Sequence, residues 1–344
     1  MMFSDLTRAR FRRFRAMRRA WWSLIVLTAA FVLSLGSELI SNDRPLLVTY
    51  QGSVHFPVFK FYPGTAFGLS QGTQTDYHAL AKDSAFRAQG GKIVFPLVKW
   101  GPYRANLDLP GNPPHKPSAQ HWLGTDNTAR DVFSRLLYGF RLCMAFALLI
   151  TVLSAALGIL VGGLQGWLGG KTDILGQRFI EIWSALPFLY VVILLGALYG
   201  RGFPLLVGVV ALFSWIGLSY YMRGEFYSLR NLNYVKSARA LGIPAWRIFL
   251  RHVLPNALTP VVTVLPFLLV SGISALTSLD FLGFGLQPPA PSWGELLRQG
   301  LDNLHAPWLA ITSTTALFIT LLLATFVGEG LREAFDPKAD ARVE

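Results

Sequence analysis

Long apolar stretches separated by short basic segments dominate the chain. A helix needs roughly 20 apolar residues to cross the hydrocarbon core of a bilayer. Six stretches reach about that length, at residues 22–40, 142–163, 179–199, 203–221, 257–279 and 308–330. The pattern therefore predicts an all-α integral membrane protein with six transmembrane helices.

The third and fourth stretches are separated only by Gly200, Arg201 and Gly202. So short a link cannot recross the membrane, so we expect a tight helical hairpin. The composition agrees with a membrane protein, since 52% of the 344 residues are hydrophobic and only 15% are charged. With a mean hydropathy of +0.42, the chain is too apolar for an ordinary soluble protein of this length.

Basic residues predict the orientation, because they remain on the cytoplasmic side of short loops. Within residues 1–21, Asp5 is the only acid among many arginines: Arg8, Arg10, Arg12, Arg13, Arg15, Arg18 and Arg19. This places the N-terminus in the cytoplasm, and six crossings place the C-terminus there too. The loop at 222–256 then also faces the cytoplasm, and its bases outnumber Glu225: Arg223, Arg230, Lys236, Arg239, Arg247 and Arg251. The net charge of +12 thus indicates contact with membrane lipid and not with nucleic acid.

The predicted organisation has a basic cytoplasmic N-terminus, a first helix, a large extracytoplasmic loop, a five-helix domain and a cytoplasmic tail. The corresponding ranges are 1–21, 22–40, 41–141, 142–330 and 331–344. Prolines recur through residues 41–122, which we expect to form a small insert with strands near 46–50 and 92–98. Residues 34–36 also permit signal-peptide cleavage, although the apolar run is long for a signal peptide and favours an uncleaved helix.

The cytoplasmic segment 233–256, NYVKSARALGIPAWRIFLRHVLPN, predicts two short helices joined by a turn. Gly242 suits the left-handed position after a helix, and Pro244 suits the first turn of the next helix. We expect Pro255 to stop the second helix before the fifth span. In the first helix, Tyr234, Ala238 and Leu241 fall on one stripe. Chemistry alone leaves two interpretations, an elbow at the lipid headgroups and a docking knob for another protein.

This segment resembles the cytoplasmic loop of binding-protein-dependent ABC importer permeases. The family pattern has EAA, three residues, glycine, nine residues and Ile-x-Leu-Pro. Gly242 and Leu254-Pro255 match it, whereas Lys236 and Ser237 replace the first two EAA positions and His252 replaces the isoleucine. The segments 123–142 (LGTDNTARDVFSRLLYGFRL) and 277–297 (TSLDFLGFGLQPPAPSWGELL) are similar to the C-type subunit of the dipeptide and oligopeptide branch. Residues 37–48 and 171–187, with the enlarged first loop, resemble one subfamily of that branch.

The resemblance implies a channel-forming permease subunit in the bacterial inner membrane that translocates peptides or peptide-like compounds. Its implied partners are a homologous permease, one or two cytoplasmic ABC ATPases and an extracytoplasmic peptide-binding protein. The implied ATPase-coupling residues are Tyr234, Ala238, Leu241, Gly242, Leu254 and Pro255. We expect no cofactor in this chain and ATP-Mg in the partner ATPases, because residues 165–172 approach a phosphate loop but carry Gln165 where the first glycine belongs.

The same stretch has a packing interpretation, since glycines recur at every fourth position: Gly158, Gly162, Gly166 and Gly170. Such a stripe allows close helix packing against this chain or a partner. No residue pattern predicts a metal site or a catalytic site, and Cys143 is expected to be a buried, inert thiol. We therefore predict a non-catalytic subunit. A stand-alone secondary transporter is the alternative, although it is expected to show inverted repeats and midplane carboxylates.

Overall fold

The computed structural model describes residues 5–70 and 72–336 and is mainly helical. The helices are α1 (Asp5–Ala16), α2 (Arg18–Leu35), α3 (Ser37–Ile40), α4 (Tyr77–Lys82), α5 (Ser84–Ala88), α6 (Val132–Leu168), α7 (Gly170–Ser184), α8 (Phe188–Tyr199), α9 (Phe203–Leu229), α10 (Asn233–Ala240), α11 (Ala245–Ile248), α12 (Leu254–Phe281), α13 (Trp293–Asp302) and α14 (Pro307–Ala334). The strands are β1 (Leu47–Tyr50), β2 (Ser53–His55) and β3 (Lys92–Val94). The predicted tail at 331–344 lies partly outside the described residues.

Five helical stretches in the described part are long and apolar enough to cross a membrane, and a bent pair brings the possible number to six. The five are α2, α6, α9, α14 and the stretch 245–281 that contains α12. The bent pair is α7 and α8, whose axes differ by 69°. The described fold is thus that of a helical membrane protein with five or six spans.

The third predicted span, 179–199, is not one straight helix. The chain is helical from Gly170 to Ser184, breaks, and resumes at Phe188. Pro187 explains the break, because its ring lacks an N–H group and disfavours helical geometry at the residue before it. Trp183, near the end of α7, donates from its indole Nε1 to the Leu212 carbonyl of α9 at 2.9 Å.

The ends of two other predicted spans also differ. The first apolar stretch divides at Gly36 into α2 and the short α3, and α6 begins at Val132 and not at residue 142. The early start of α6 includes Arg135 and Arg141, whose charges excluded this turn from an apolar window. Both side chains form ion pairs, so their charges are compensated within the helix-packed structure.

The chain forms two compact units. The helical unit comprises 5–28, 143–287 and 318–336, and the insert unit comprises 29–142 and 288–317, with residue 71 outside the described part. In the insert unit, the strands form an antiparallel sheet of order β2-β1-β3. Gln51 and Gly52 both have positive φ and close the β1–β2 hairpin. The predicted strand regions are therefore confirmed, although β3 ends at Val94, just before Pro96.

Candidate functional site

The segment predicted as a coupling loop forms a helical elbow. The helix α10 ends at Ala240, and Gly242 follows with a φ of +74°. The N–H of Ile243 donates to the Ala238 carbonyl at 3.1 Å, which closes the end of the helix. Pro244 then precedes α11 in extended geometry. The predicted helix–turn–helix is confirmed, with glycine in the left-handed position that it tolerates best.

The elbow is anchored in the helical unit by side chains that its sequence stripe did not reveal. Val235, Ile248 and Val253 are fully buried. They belong to one apolar cluster with Met222 and Phe226 of α9. Each buried aliphatic side chain stabilises such an anchor by about 1.5–3 kcal/mol. The elbow is therefore packed firmly onto the spans that it connects.

The three residues of the predicted stripe, Tyr234, Ala238 and Leu241, differ in burial. Ala238 contacts the apolar cluster, whereas Tyr234 is 41% and Leu241 is 79% exposed. Leu241 lies just beyond the last residue of α10. The elbow thus leaves four large apolar side chains exposed: Tyr234, Leu241, Trp246 and Leu250.

Pro255 does not stop the second helix, contrary to the sequence prediction. The residues Phe249–Val253 form a π-helical turn that joins α11 to α12, and Pro255 lies in the first turn of α12. Proline is tolerated there because it lacks an N–H group and the first turn of a helix does not need one. The preceding π-helical turn is wider than an α-helical turn and leaves room for the proline ring. Leu254 is half-buried against the same apolar cluster, and Pro255 is exposed.

Three glycines of the predicted stripe bring α6 into direct contact with α9. A Cβ atom on Gly158 would lie 2.9 Å from the Leu218 Cβ. On Gly162 it would overlap the Ser219 carbonyl oxygen, and on Gly166 the Arg223 carbonyl oxygen. The facing helix therefore belongs to this chain. Gly170 departs from the prediction, because it begins α7 after a break at Gly169 and a Cβ there would meet no atom within 4 Å.

Polar contacts join the ends of these helices. Arg230, after α9, donates from Nη1 to the Gly166 carbonyl at 3.2 Å, and Arg223 pairs with Asp173 of α7. At the other end of α9, Arg201 donates to the Gly283 carbonyl after α12. The last turns of α9 therefore contact the start of α7, and the residues just before α9 contact the end of α12.

The stretch that approaches a phosphate loop joins two helices. Gln165 lies in α6 and is buried, where its Oε1 accepts from Gln177 Nε2 at 2.5 Å. Lys171 and Thr172 lie in the first turn of α7. This arrangement differs from the strand, glycine-rich loop and helix that cradle phosphates. Of the ionisable residues near the spans, Arg178 and Glu181 form the expected i, i+3 pair, and the predicted burial of Cys143 is confirmed.

Sequence reasoning missed a buried cluster of charges in the insert unit. Arg135 is fully buried and contacts Glu295 at 2.5 Å and Asp126 at 3.4 Å. Arg130 pairs with Asp126 at 2.8 Å and with Glu295 at 3.3 Å. Glu295 lies 160 residues after Arg135 in the sequence, so no local sequence pattern indicated that they are in contact. The cluster fixes α13, which carries Glu295, to the start of α6.

Similarity to known proteins identifies the family of this chain. The family described as "Binding-protein-dependent transport system inner membrane component" matches residues 128–341. The "Inner membrane ABC transporter permease protein YejE" of Escherichia coli is 46% identical over 337 residues, covering 97% of this chain and 98% of the relative. The chain belongs to this family. It is a permease subunit of an ABC importer, a multi-pass protein of the inner membrane, and the stand-alone transporter alternative is wrong.

Two further relatives of this permease place it within the family. The "Peptidoglycan transport system permease protein YejE" of Agrobacterium fabrum is 42% identical over 364 residues, covering 99% of this chain and 95% of the relative. The "Oligopeptide transport system permease protein OppC" of Haemophilus influenzae is 39% identical over 220 residues, covering 63% and 70% of the two chains. The subfamily indicated by residues 37–48 and 171–187 is the YejE permeases, which match along almost the whole chain.

Proposed function

We propose that this permease forms one half of a channel that imports peptides or peptide-like compounds, with a homologous permease as the other half. Peptides would arrive on an extracytoplasmic binding protein, and cytoplasmic ABC ATPases would bind ATP-Mg. This chain would itself be non-catalytic. The substrate class is supported by relatives whose names refer to oligopeptide and peptidoglycan transport.

The elbow is the observation that carries this proposal. Its inner side is anchored by fully buried Val235 and Ile248, while Leu241 and Trp246 are 79% and 62% exposed. Exposed aromatic and aliphatic side chains on a rigid support are typical of protein-binding hot spots. An ATPase bound to these exposed side chains would transmit its closure to α9 and α12, because the elbow joins both helices.

Six crossings, with both termini in the cytoplasm, are part of the proposal. The start of α7 is tied to the elbow end of α9 by the pair of Asp173 with Arg223. The link after α8 is tied to the far end of α12 by the contact of Arg201 with Gly283. Because α7 and α8 thus run between opposite ends of α9, they support one bent crossing better than a re-entrant loop. The basic N-terminus and elbow support the cytoplasmic orientation.

The decisive experiment is purification of this permease with its partner permease, ATPases and binding protein, followed by measurement of ATP hydrolysis. We expect the ATPases to co-purify and peptide-loaded binding protein to stimulate hydrolysis. Gly242→Val should remove that stimulation without preventing membrane insertion, because a β-branched residue strongly disfavours a φ of +74°.

Gly242→Asn is the matched control, since asparagine tolerates the left-handed conformation far better than valine. No atom lies within 4 Å of a Cβ on Gly242, so the two variants differ in backbone preference more than in packing. Stimulation retained in Gly242→Asn and lost in Gly242→Val supports coupling through the elbow. Full stimulation in both variants would refute it, and a permease that transports peptides with no ATPase bound would refute the importer proposal.

A further inference from the structure

The insert unit contains a small folded layer with its own apolar core, and this layer consists of the three-stranded sheet and the helices α4 and α5. Val48 and Tyr50 of β1 pack with Phe67, Tyr77 and Leu80 in one buried cluster. The two ends of the excursion from residue 43 to residue 97 are held together, since the Asn42 N–H donates to the Val98 carbonyl at 3.1 Å. The same Val98 donates its N–H to the Ile40 carbonyl at 3.0 Å. The residues that follow Val98 therefore start from a fixed position.

A cavity of about 650 Å³, the insert pocket, opens beside this layer. Its wall includes His78 of α4 and Trp100, whose rings stack with centroids 4.6 Å apart. Apolar side chains at the pocket are unusually exposed, with Leu97 at 71% and Leu107 at 84%. The volume lies in the range of pockets that hold small ligands, and the lining combines apolar surface with a few polar groups.

The charges that line the insert pocket are mostly basic. They are Lys82, Lys99 and Arg104 against the single carboxylate Asp108. Lys82 pairs with Asp108 at 2.8 Å. Lys99 has no carboxylate within ion-pair distance among the described residues, and its side chain is exposed. The pocket therefore keeps one ammonium group that its own chain does not neutralise.

Arg104 and His78 add little free charge to the pocket. Burial raises the pKa of the Asp76 carboxyl, but the hydrogen bond from Arg104 at 2.9 Å and two backbone N–H groups together hold that pKa below its ordinary value. Asp76 is therefore ionised and offsets Arg104. Burial and the nearby Arg104 lower the pKa of His78, so its ring is neutral at pH 7. Lys99 is the charge left to recognise a ligand.

We propose that the insert pocket binds the free C-terminal carboxylate of a peptide or peptide-like substrate, with Lys99 on the carboxylate and the exposed leucines on an apolar side chain. The inference deepens the proposed function and rests on it for the substrate class. An ammonium group and apolar surface around one cavity match a ligand that is anionic at one end and apolar beside it. The pocket would then select substrates before they enter the channel.

Binding can be measured on the purified full-length permease in detergent, with trileucine and trileucine amide as probes and calorimetry as the readout. We expect trileucine to bind at least about tenfold more tightly than its amide, because a charge-assisted hydrogen bond to the carboxylate is lost in the amide. Lys99→Gln should weaken trileucine binding and remove the difference between the probes.

Lys92→Gln is the matched control. Lys92 is an exposed lysine of β3 in the same layer and does not line the pocket, so trileucine should bind this variant as it binds the native chain. Equal binding of both probes, no binding of either, or equal losses in the two lysine variants would overturn the proposal. Displacement of trileucine by the same concentration of inorganic phosphate would also overturn it, since the pocket would then recognise anions in general.

Two outcomes separate this inference from the importer proposal. ATP hydrolysis stimulated by loaded binding protein, without peptide binding by the permease alone, would overturn the pocket and leave the importer standing. Selective trileucine binding by a chain that associates with no ATPase would support the pocket and refute the proposed coupling to ATPases through the elbow. If Lys99→Gln weakened only the association with the binding protein, the pocket would be a docking surface and the peptide site would be wrong.

Discussion

At the residue scale, Arg135 is a fully buried charge that several groups of the insert unit compensate. Its guanidinium lies between the carboxylates of Asp126 and Glu295 and also donates to the Pro289 and Ala290 carbonyls. Removing one partner from a buried ionic network leaves the others unpaired, and this costs far more than the intact network contributes. Arg135 is therefore one of the main contacts that attach the loop before α13 to α6, beside the hydrogen bond from Trp293 to the Leu136 carbonyl.

We predict that Arg135→Met destabilises the protein by about 3–5 kcal/mol, because it leaves two buried carboxylates to share Arg130 as their one remaining guanidinium partner. Thermal unfolding of the purified chain in detergent measures the effect. Arg141→Met is the control, since Arg141 forms a partly exposed ion pair with Glu38. The Arg141 side chain is 30% exposed and the Glu38 side chain is 39% exposed. Such a pair contributes about 0–1 kcal/mol. Equal shifts in unfolding temperature for the two variants would contradict the prediction.

At the element scale, α6 and α9 form the tightest helix pair that the glycine contacts describe. Gly162 and Gly166 allow the α6 backbone to meet backbone carbonyl oxygens of α9 directly. Close backbone approach through small residues is a common way to join helices in a membrane, where the hydrophobic effect provides little driving force. The pair is therefore expected to move as one body.

Gly162→Ala should separate α6 from α9 and lower the unfolding temperature, because its added methyl group overlaps the Ser219 carbonyl oxygen. Overpacking of this kind typically costs about 1–3 kcal/mol. Gly208→Ala is the matched control within α9, since no atom lies within 4 Å of a Cβ there. The control should be neutral or slightly stabilising, because alanine has the higher helix propensity. Loss of stability in both variants would show that the contact is not specific.

The sequence predicted the features that depend on neighbouring residues better than the features that depend on tertiary contacts. Gly242 and Pro244 dictate the elbow through backbone geometry alone, and the four-residue spacing of Gly158 and Gly162 dictates a packing face. The facing helix, by contrast, depends on tertiary contacts. The stripe of Tyr234, Ala238 and Leu241 did not reveal the buried position, Val235, because the burial of Val235 depends on packing against α9. The pocket around Lys99 likewise joins residues from separate loops.

At the scale of the whole molecule, α7 and α8 determine whether the chain has five or six spans. Pro187 makes the bend of 69° a property of the sequence, but a bend alone fits either a broken crossing or a re-entrant loop. The contacts of Asp173 and Arg201 with opposite ends of α9 favour the crossing. The side on which the link at 200–202 lies is thus the observable that distinguishes the two arrangements.

Cysteine labelling in spheroplasts tests this arrangement. Ala88→Cys and Tyr199→Cys should react with a membrane-impermeant maleimide from outside, and Ser237→Cys only after permeabilisation. All three positions are exposed, and the natural Cys143 is buried, so the unmodified chain supplies the background. If Tyr199→Cys reacted only after permeabilisation and Ser237→Cys reacted from outside, α7 and α8 would form a re-entrant loop and the six-crossing topology would be wrong.

The helical stretch from Ala245 to Phe281 connects the elbow to the far end of α12 without a break. Its 37 residues correspond to about 55 Å at 1.5 Å per residue, more than the hydrocarbon thickness of a bilayer. Pro260 and Pro266 lie within it, and each removes a backbone hydrogen bond from the stretch that contains them. Backbone hydrogen bonding in the stretch is therefore weakest around these two prolines, and bending of so long a helix is expected to concentrate there.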